Sequence, residues 1–421
     1  MSLYRAIRPS DQDDRWTRRD VSTVAAIYGA NASGKSTVVD GLAFLKSAVA
    51  DSYRSWPLGG GTPRRAFALD PADSARASQF EIEFIADDGV TYQYGFELDD
   101  ERILSEHLYA YKTTKRTVLY TRDPMDEPKD WYFGPSFRGP AQQIRETTRT
   151  NALFLSAAAA SHNRSIQAAF RWISTRLSIY HAAGYRLEHA RIIRRMQADE
   201  DYAKRLLTFV RRADLGVSNI EIVENAMTQE ELEDLERRVR AVVAPDHATR
   251  LLKQMTDERE RALQLTHKSA SRSIPLPFDD ESDGTHALIS FASIAVDALE
   301  TGSTCVVDEI DSSLHPTLVG QLVEVFQDPR INPKQAQLIF TTHDATLLES
   351  DGLTPKVERD QVWVVEKDSD GASHLFAISE FGLPRTGSNL ARAYLTGRYG
   401  GIPAVAITNE LLANSMREES D

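Results

Sequence analysis

Cysteine is nearly absent from this sequence: Cys305 is the single one among 421 residues. One thiol can form neither a disulfide framework nor a cysteine-based zinc site within the chain. Long apolar runs are missing too. Nowhere do about 18 apolar residues follow one another, which excludes an ordinary membrane helix. The opening MSLYRAIRPSDQDDRW lacks the apolar core of a signal peptide. Basic charge is in deficit, with 49 Lys and Arg against 62 Asp and Glu and a formal net charge of −13. That average argues against a generally basic nucleic-acid binder, although a local basic face is compatible with it. Internal repeats and low-complexity tracts are lacking. A soluble, cytoplasmic chain in a reducing setting, with no membrane partner, is the expectation. What is plentiful is core-forming material: 41% of residues are hydrophobic and 26% charged, enough for two or three domains.

The rest of the chain is organised around AAIYGANASGKSTVVDGL, residues 25–42. An apolar strand-like approach (Val24 to Ile27) enters a glycine-bounded loop and leaves it as a helical pattern. Gly29, Asn31, Ala32, Ser33, Gly34, Lys35, Ser36 and Thr37 fit the phosphate-cradling loop G-x-x-x-x-G-K-[ST] and its flank. Glycines let the backbone turn tightly, so successive N–H groups converge on phosphate oxygens. The helix beginning at Lys35 adds its positive end. Lys35 brings a mobile charge for the β- and γ-phosphates, and the Ser36 hydroxyl is suited to Mg²⁺. The alternative, a glycine-rich turn that merely packs, does not call for strand, loop and helix in this order. ATP and Mg²⁺ are the expected ligands.

Downstream, Val38 to Ala50 shows helical spacing, and 51–65 reads as a loop. QFEIEFIADDGVTYQYGFELDDERILSEHLYAY then alternates with period two, a hairpin or meander turning at Asp88-Gly89. Its aromatic row (Tyr92, Tyr94, Phe96) is expected to face the core rather than a ligand. RTVLYTRD reads as a further strand. From Asn151 to Tyr180 the chain reads as helical, with a polar amphipathic region at about 186–213. A strand is expected at 216–225 and a charged helix at 228–243, opened by a capping box at Thr228. Another strand fits 262–269, and two more flank a turn at Asp370-Gly371. Gly397, Gly400, Gly401 and Pro403 shape a C-terminal docking turn, where Arg398 and Tyr399 either pack or face a partner. The domains expected are 1–175 and 261–421 as two parts of one ATPase head, with a helical insertion at 176–260.

Residues 282–344 carry three further signals. Ser282-Asp283-Gly284-Thr285 leads into the apolar helix HALISFASIAVDAL. STCVVDEIDSSLHP is a buried-strand run ending in Asp308-Glu309. A carboxylate at a strand's C-terminal end can join the Mg²⁺ shell, and Glu309 beside it can polarise an attacking water. QAQLIFTTHDATLL is a strand with His343 at its tip, able to donate a hydrogen bond to a γ-phosphate.

This order resembles the ATP-binding-cassette class of ATPases. The resemblance implies an α/β P-loop NTPase fold with an ABC-type head, a β-rich N-terminal lobe and a helical insertion. It also implies that two heads meet head to tail, so that Ser282 to Thr285 of one copy close on the γ-phosphate held by the other. Two features depart from that class or lack a placement. His315 stands where many cassette proteins carry an acid, and the glutamine of the lobe-connecting loop falls to Gln79, Gln142 or Gln143. Over nearly the whole chain the sequence resembles stand-alone bacterial ATPases of the RloA/AbiLi type, which are similar to overcoming-lysogenisation-defect and RecF-like ATPases. The segments that carry this are AAIYGANASGKST, the meander, NALFLSAAA, the SDGTHAL to TTHDATLL series and YLTGRYGGIP. Its opening is shorter than the family's apolar strand and F-x-S-F segment. The resemblance implies a phage-defence sensor or scaffold controlling a separately encoded toxic effector. Two rivals are a DNA-repair ATPase that binds nucleic acid and a kinase or GTPase switch. The latter leaves the SDGT segment without a role.

Overall fold

The computed structural model describes residues 21–69, 75–113, 115–123, 131–181, 188–213, 216–224, 229–242, 248, 252, 261–268, 272–312, 314–349, 356–381 and 389–402. Residues 1–20, the Thr228 cap and Pro403 lie outside them. Two compact units divide the chain: Met1–Ile179 with Leu338–Asp421, and Tyr180–Gln337.

In the first unit, β1 (Val24–Gly29) is buried at every position. A strand apolar on both faces belongs inside a parallel sheet. It pairs in parallel with β12 (Gln337–Thr341) through Ile27↔Thr341, and with β13 (Val362–Lys367) through Gly29↔Val365. β13 folds back antiparallel onto β14 (Ser373–Ala377). Helix α1 (Lys35–Ser55) runs past the loop expected from residue 51. After Gly41 no proline or glycine interrupts it before Pro57, and side chains tie down its end. Ser52 Oγ accepts the Leu153 N–H at 3.1 Å, and the buried Asn151 amide donates to the Pro57 and Gly61 carbonyls at 2.8 and 2.9 Å.

The period-two region is an antiparallel meander of β2 (Ser78–Ile85), β3 (Thr91–Leu98), β4 (Ile103–Tyr111), β5 (Thr117–Arg122) and β6 (Trp131–Phe133). Gly89 takes φ 76° in the first turn. Tyr92, Tyr94 and Phe96 are buried, as the alternation indicated. Three short helices follow: α2 (Ala141–Thr147), α3 (Phe154–Ala160) and α4 (Gln167–Arg171). The expected helix does not continue to Tyr180. It widens into a π-helical turn over Trp172–Arg176 and gives way to strand β7 (Leu177–Tyr180).

Glu106 on β4 joins the meander to α3. It is 1% exposed and accepts from Tyr94 and Tyr120 hydroxyls at 3.1 and 2.7 Å and from the Phe154 and Leu155 N–H groups at 2.6 and 3.0 Å. Those N–H groups open α3, where helix donors otherwise lack partners. Burial nonetheless raises its pKa above the usual value of about 4.5, against the pull of the Leu155 N–H and of Arg122.

The second unit has a smaller antiparallel sheet, β8 (Val217–Glu224), β9 (Arg261–Lys268) and β10 (Ser273–Pro277), in the order β10-β9-β8. The prolines in SIPLP disguise β10 in the sequence. Edge strands tolerate them because one side needs no N–H donors. Against this sheet pack α5 (Glu188–Ala198), α6 (Glu200–Arg212) and α8 (Asp283–Thr301), sharing Ile192, Tyr202, Leu206, Leu263, Leu265 and Ile289. Leu235 and Val239 of helix α7 (Gln229–Val242) form a separate apolar cluster with Ala248 and Leu252. Strand β11 (Thr304–Val307) and helix α9 (Pro316–Gln327) complete the unit. Among the described residues no helix is long and apolar enough to cross a membrane.

Replacing Glu106 by Gln turns an amide N–H₂ toward donors, and the chain should lose about 1–3 kcal/mol in urea denaturation. The folded wild type holds its proton above the pH where the unfolded chain releases it. Its stability relative to Glu106→Gln is therefore flat below about pH 4.5 and should fall as pH rises through the raised folded pKa.

Candidate nucleotide site

The phosphate loop leaves β1 at Gly29 and enters α1 through Gly34. Ala32 (φ 61°) and Gly34 (φ 108°) hold left-handed conformations, costly for the first and free for the second. Close packing explains both glycines. A Cβ on Gly29 would lie 2.5 Å from Ser33 Oγ and 2.6 Å from the Val365 carbonyl, and one on Gly34 would strike Ser373. Asn31, Ala32, Ser36 and Thr37 are exposed. Lys35 Nζ donates back to the Gly29 and Ala30 carbonyls at 2.8 and 3.1 Å. Ser33 Oγ is buried and has no hydrogen-bond partner among the described residues. An unused buried donor, a loop closed to Cβ atoms and a mobile ammonium at a helix N-terminus together fit an anionic phosphate group.

His343 sits in the same unit. Thr342 N–H donates to the Ile27 carbonyl at 3.0 Å, extending the β1–β12 register by one residue. The exposed His343 thus follows at the strand end from which the phosphate loop also leaves. Asp344 caps the next turn by accepting from Thr346 N–H at 2.9 Å. Tyr28, whose hydroxyl donates to the Asp344 carbonyl at 3.0 Å, links that turn to the strand before the loop.

In the second unit, Ser282 is the N-cap of α8. Its Oγ accepts the Thr285 N–H at 3.2 Å and lies 2.9 Å from Thr285 Oγ1. Helix α8 begins at Asp283, so Gly284 and Thr285 lie in its first turn rather than before it. Ser282 and Asp283 are exposed, Thr285 buried. Arg191 and Arg195 pair with Asp297 farther along α8, and Tyr202 hydroxyl lies 2.7 Å from Ser293 Oγ, so α5 and α6 brace the helix.

Asp308 follows the wholly buried β11. Its N–H donates to the Tyr180 carbonyl at 2.8 Å, and His181 Nδ1 stands 3.8 Å from its carboxylate. Glu309 is exposed and takes φ 52°, an uncommon conformation for a non-glycine residue that concentrates at functional sites. His315, standing where cassette proteins often carry an acid, is the N-cap of α9 and accepts from Thr317 N–H through Nδ1 at 3.3 Å. Cys305 is buried within β11, and burial pushes its thiol up to about 12, outside ordinary reactivity. Gln79, Gln142 and Gln143 are all exposed.

The family described as "AAA domain, putative AbiEii toxin, Type IV TA system" matches residues 24–349, from β1 through the His343 turn. The chain belongs to this family. It is a nucleotide-binding ATPase domain with a P-loop NTPase fold. No curated protein matches it. Among solved structures, it is similar to an Smc head domain with an extended coiled coil bound to the C-terminal domain of ScpA, from Pyrococcus furiosus. The two are 13% identical over 85% of this chain and 92% of that one, with a TM-score of 0.31. An Smc head with a coiled coil and joint from Pyrococcus yayanosii is 14% identical over 61% and 41%, with a TM-score of 0.27.

Gly34→Ala should lower ATP affinity by at least about tenfold, read by titration with a fluorescent ATP analogue, because the new Cβ meets Ser373 at a positive φ. Affinity equal to wild type would remove the loop from the site.

Proposed function

We propose that this ATPase domain is an ABC-type head of the RloA/AbiLi kind, a sensor or scaffold subunit that controls a separately encoded toxic effector in antiviral defence. The observation that carries the ATPase part is the phosphate loop with Lys35 at a helix N-terminus and His343 on the adjoining strand end. The defence role draws on the family's association with AbiEii-type toxin systems and on the resemblance of GANASGKST, SDGT and TTHD.

Lys35 and the loop N–H groups hold the β- and γ-phosphates. Ser36 and Asp308 are the residues that would hold Mg²⁺, which when bound supplies charge for the transferring phosphoryl group. Glu309 takes the proton of the attacking water, and His343 donates to the γ-phosphate. Ser282 to Thr285 come from a second copy, so turnover requires a homodimer or larger oligomer. Residues 176–260 act as an insertion between the two parts of the head.

Glu309→Gln should retain ATP binding, cut hydrolysis by at least about a hundredfold and accumulate as a dimer with ATP, measured by phosphate release and light scattering. Unchanged turnover would remove Glu309 as the base. Co-purification with the product of a neighbouring gene supports the defence reading. ATPase stimulation by duplex DNA that collapses with added salt would make it a repair ATPase instead.

A further inference from the structure

Two segments far along the chain close on the phosphate loop within the first unit. Ser373, at the start of β14, donates its hydroxyl to the Ser33 carbonyl at 2.7 Å, across 340 residues. The turn after α10 (Leu390–Leu395) meets the other end of the loop, at Tyr28 and Gly29. Tyr394 packs edge-on against Tyr28, with ring centroids 5.2 Å apart, and its hydroxyl donates to the Gly401 carbonyl at 3.2 Å. Burial raises the Tyr394 phenol, and a hydrogen bond from the Gly29 backbone opposes that rise. Gly401, at φ 68°, lies so close that an added Cβ would stand 3.4 Å from Gly29 Cα and 2.5 Å from Val364 Cγ1.

The bond to Ser33 has a directional consequence. A peptide unit is planar and trans, so its carbonyl and the following N–H point to opposite sides. Holding the Ser33 carbonyl therefore fixes where the Gly34 N–H points, and that N–H belongs to the loop that must gather on the phosphates. Ser373 also occupies the space a Gly34 side chain would need, so hydroxyl and glycine form a matched pair.

We propose that Ser373 is a positioning residue for ATP. Its hydroxyl orients the Ser33–Gly34 peptide, so nucleotide affinity depends on a strand beyond the matched family region. This rests on the nucleotide-site reading above.

The test compares Ser373→Thr with Ser373→Val in the full chain. These side chains share a shape, suit a strand and differ in the hydroxyl. Affinity is read with Mg²⁺ and a fluorescent ATP analogue, and thermal stability is read without nucleotide. The Thr variant should bind like wild type, and the Val variant about threefold to tenfold more weakly, the range of one neutral hydrogen bond. Equal affinities for Thr and Val, in a chain where Lys35→Ala abolishes binding, overturn the positioning role alone. A difference in melting temperature without one in affinity does the same. Should wild type fail to bind, or Lys35→Ala bind as wild type does, the nucleotide-site reading falls and the positioning role falls with it. If the Val variant does not fold, Ser373→Ala takes its place against Thr, with the same outcomes.

Discussion

The parallel pairing of β1 with β12 and β13 is the constraint on which the first unit depends. β1 is buried throughout, so its backbone groups must be satisfied by neighbouring strands. Its register with β12 and β13 is shared by a residue at each strand end: Gly29 opposite Val365, and Ile27 opposite Thr341. Because the strands run the same way, the loop after β1 and the turn after β12 emerge at one edge. Slipping either strand by a residue would exchange faces and separate them.

Elsewhere in the first unit the chain uses polar side chains sparingly and deep inside. Glu106 satisfies four donors at once, while Asn151 and Ser52 close the far end of α1. Each joins elements remote in sequence, and each loses more when half-removed than it contributes when intact, since its buried partners would be left unpaired. In the second unit the same economy appears as ion pairs from α5 and α6 onto α8, the helix that Ser282 caps.

Much of this was legible in the residues. The phosphate loop is local, eight consecutive positions with one backbone purpose. The meander announced itself through alternation, and β12 through an apolar run ending in TTHD. What escaped was either non-local or disguised. Ser373 is an ordinary strand serine until Ser33 is seen beside it. Glu106 stood at an inward position of EHLYAY, a signal available but outvoted by its neighbours' apolar pattern. Pro275 and Pro277 mask an edge strand, and LSIY, which continues a helical pattern, forms β7 after a π-helical turn. His315 looked like a missing acid and is a helix cap.

Lys35 Nζ rests on the Gly29 and Ala30 carbonyls at 2.8 and 3.1 Å. An anion that draws this ammonium away has to offset contacts the folded chain already makes, so its net gain is smaller than the bare charge suggests.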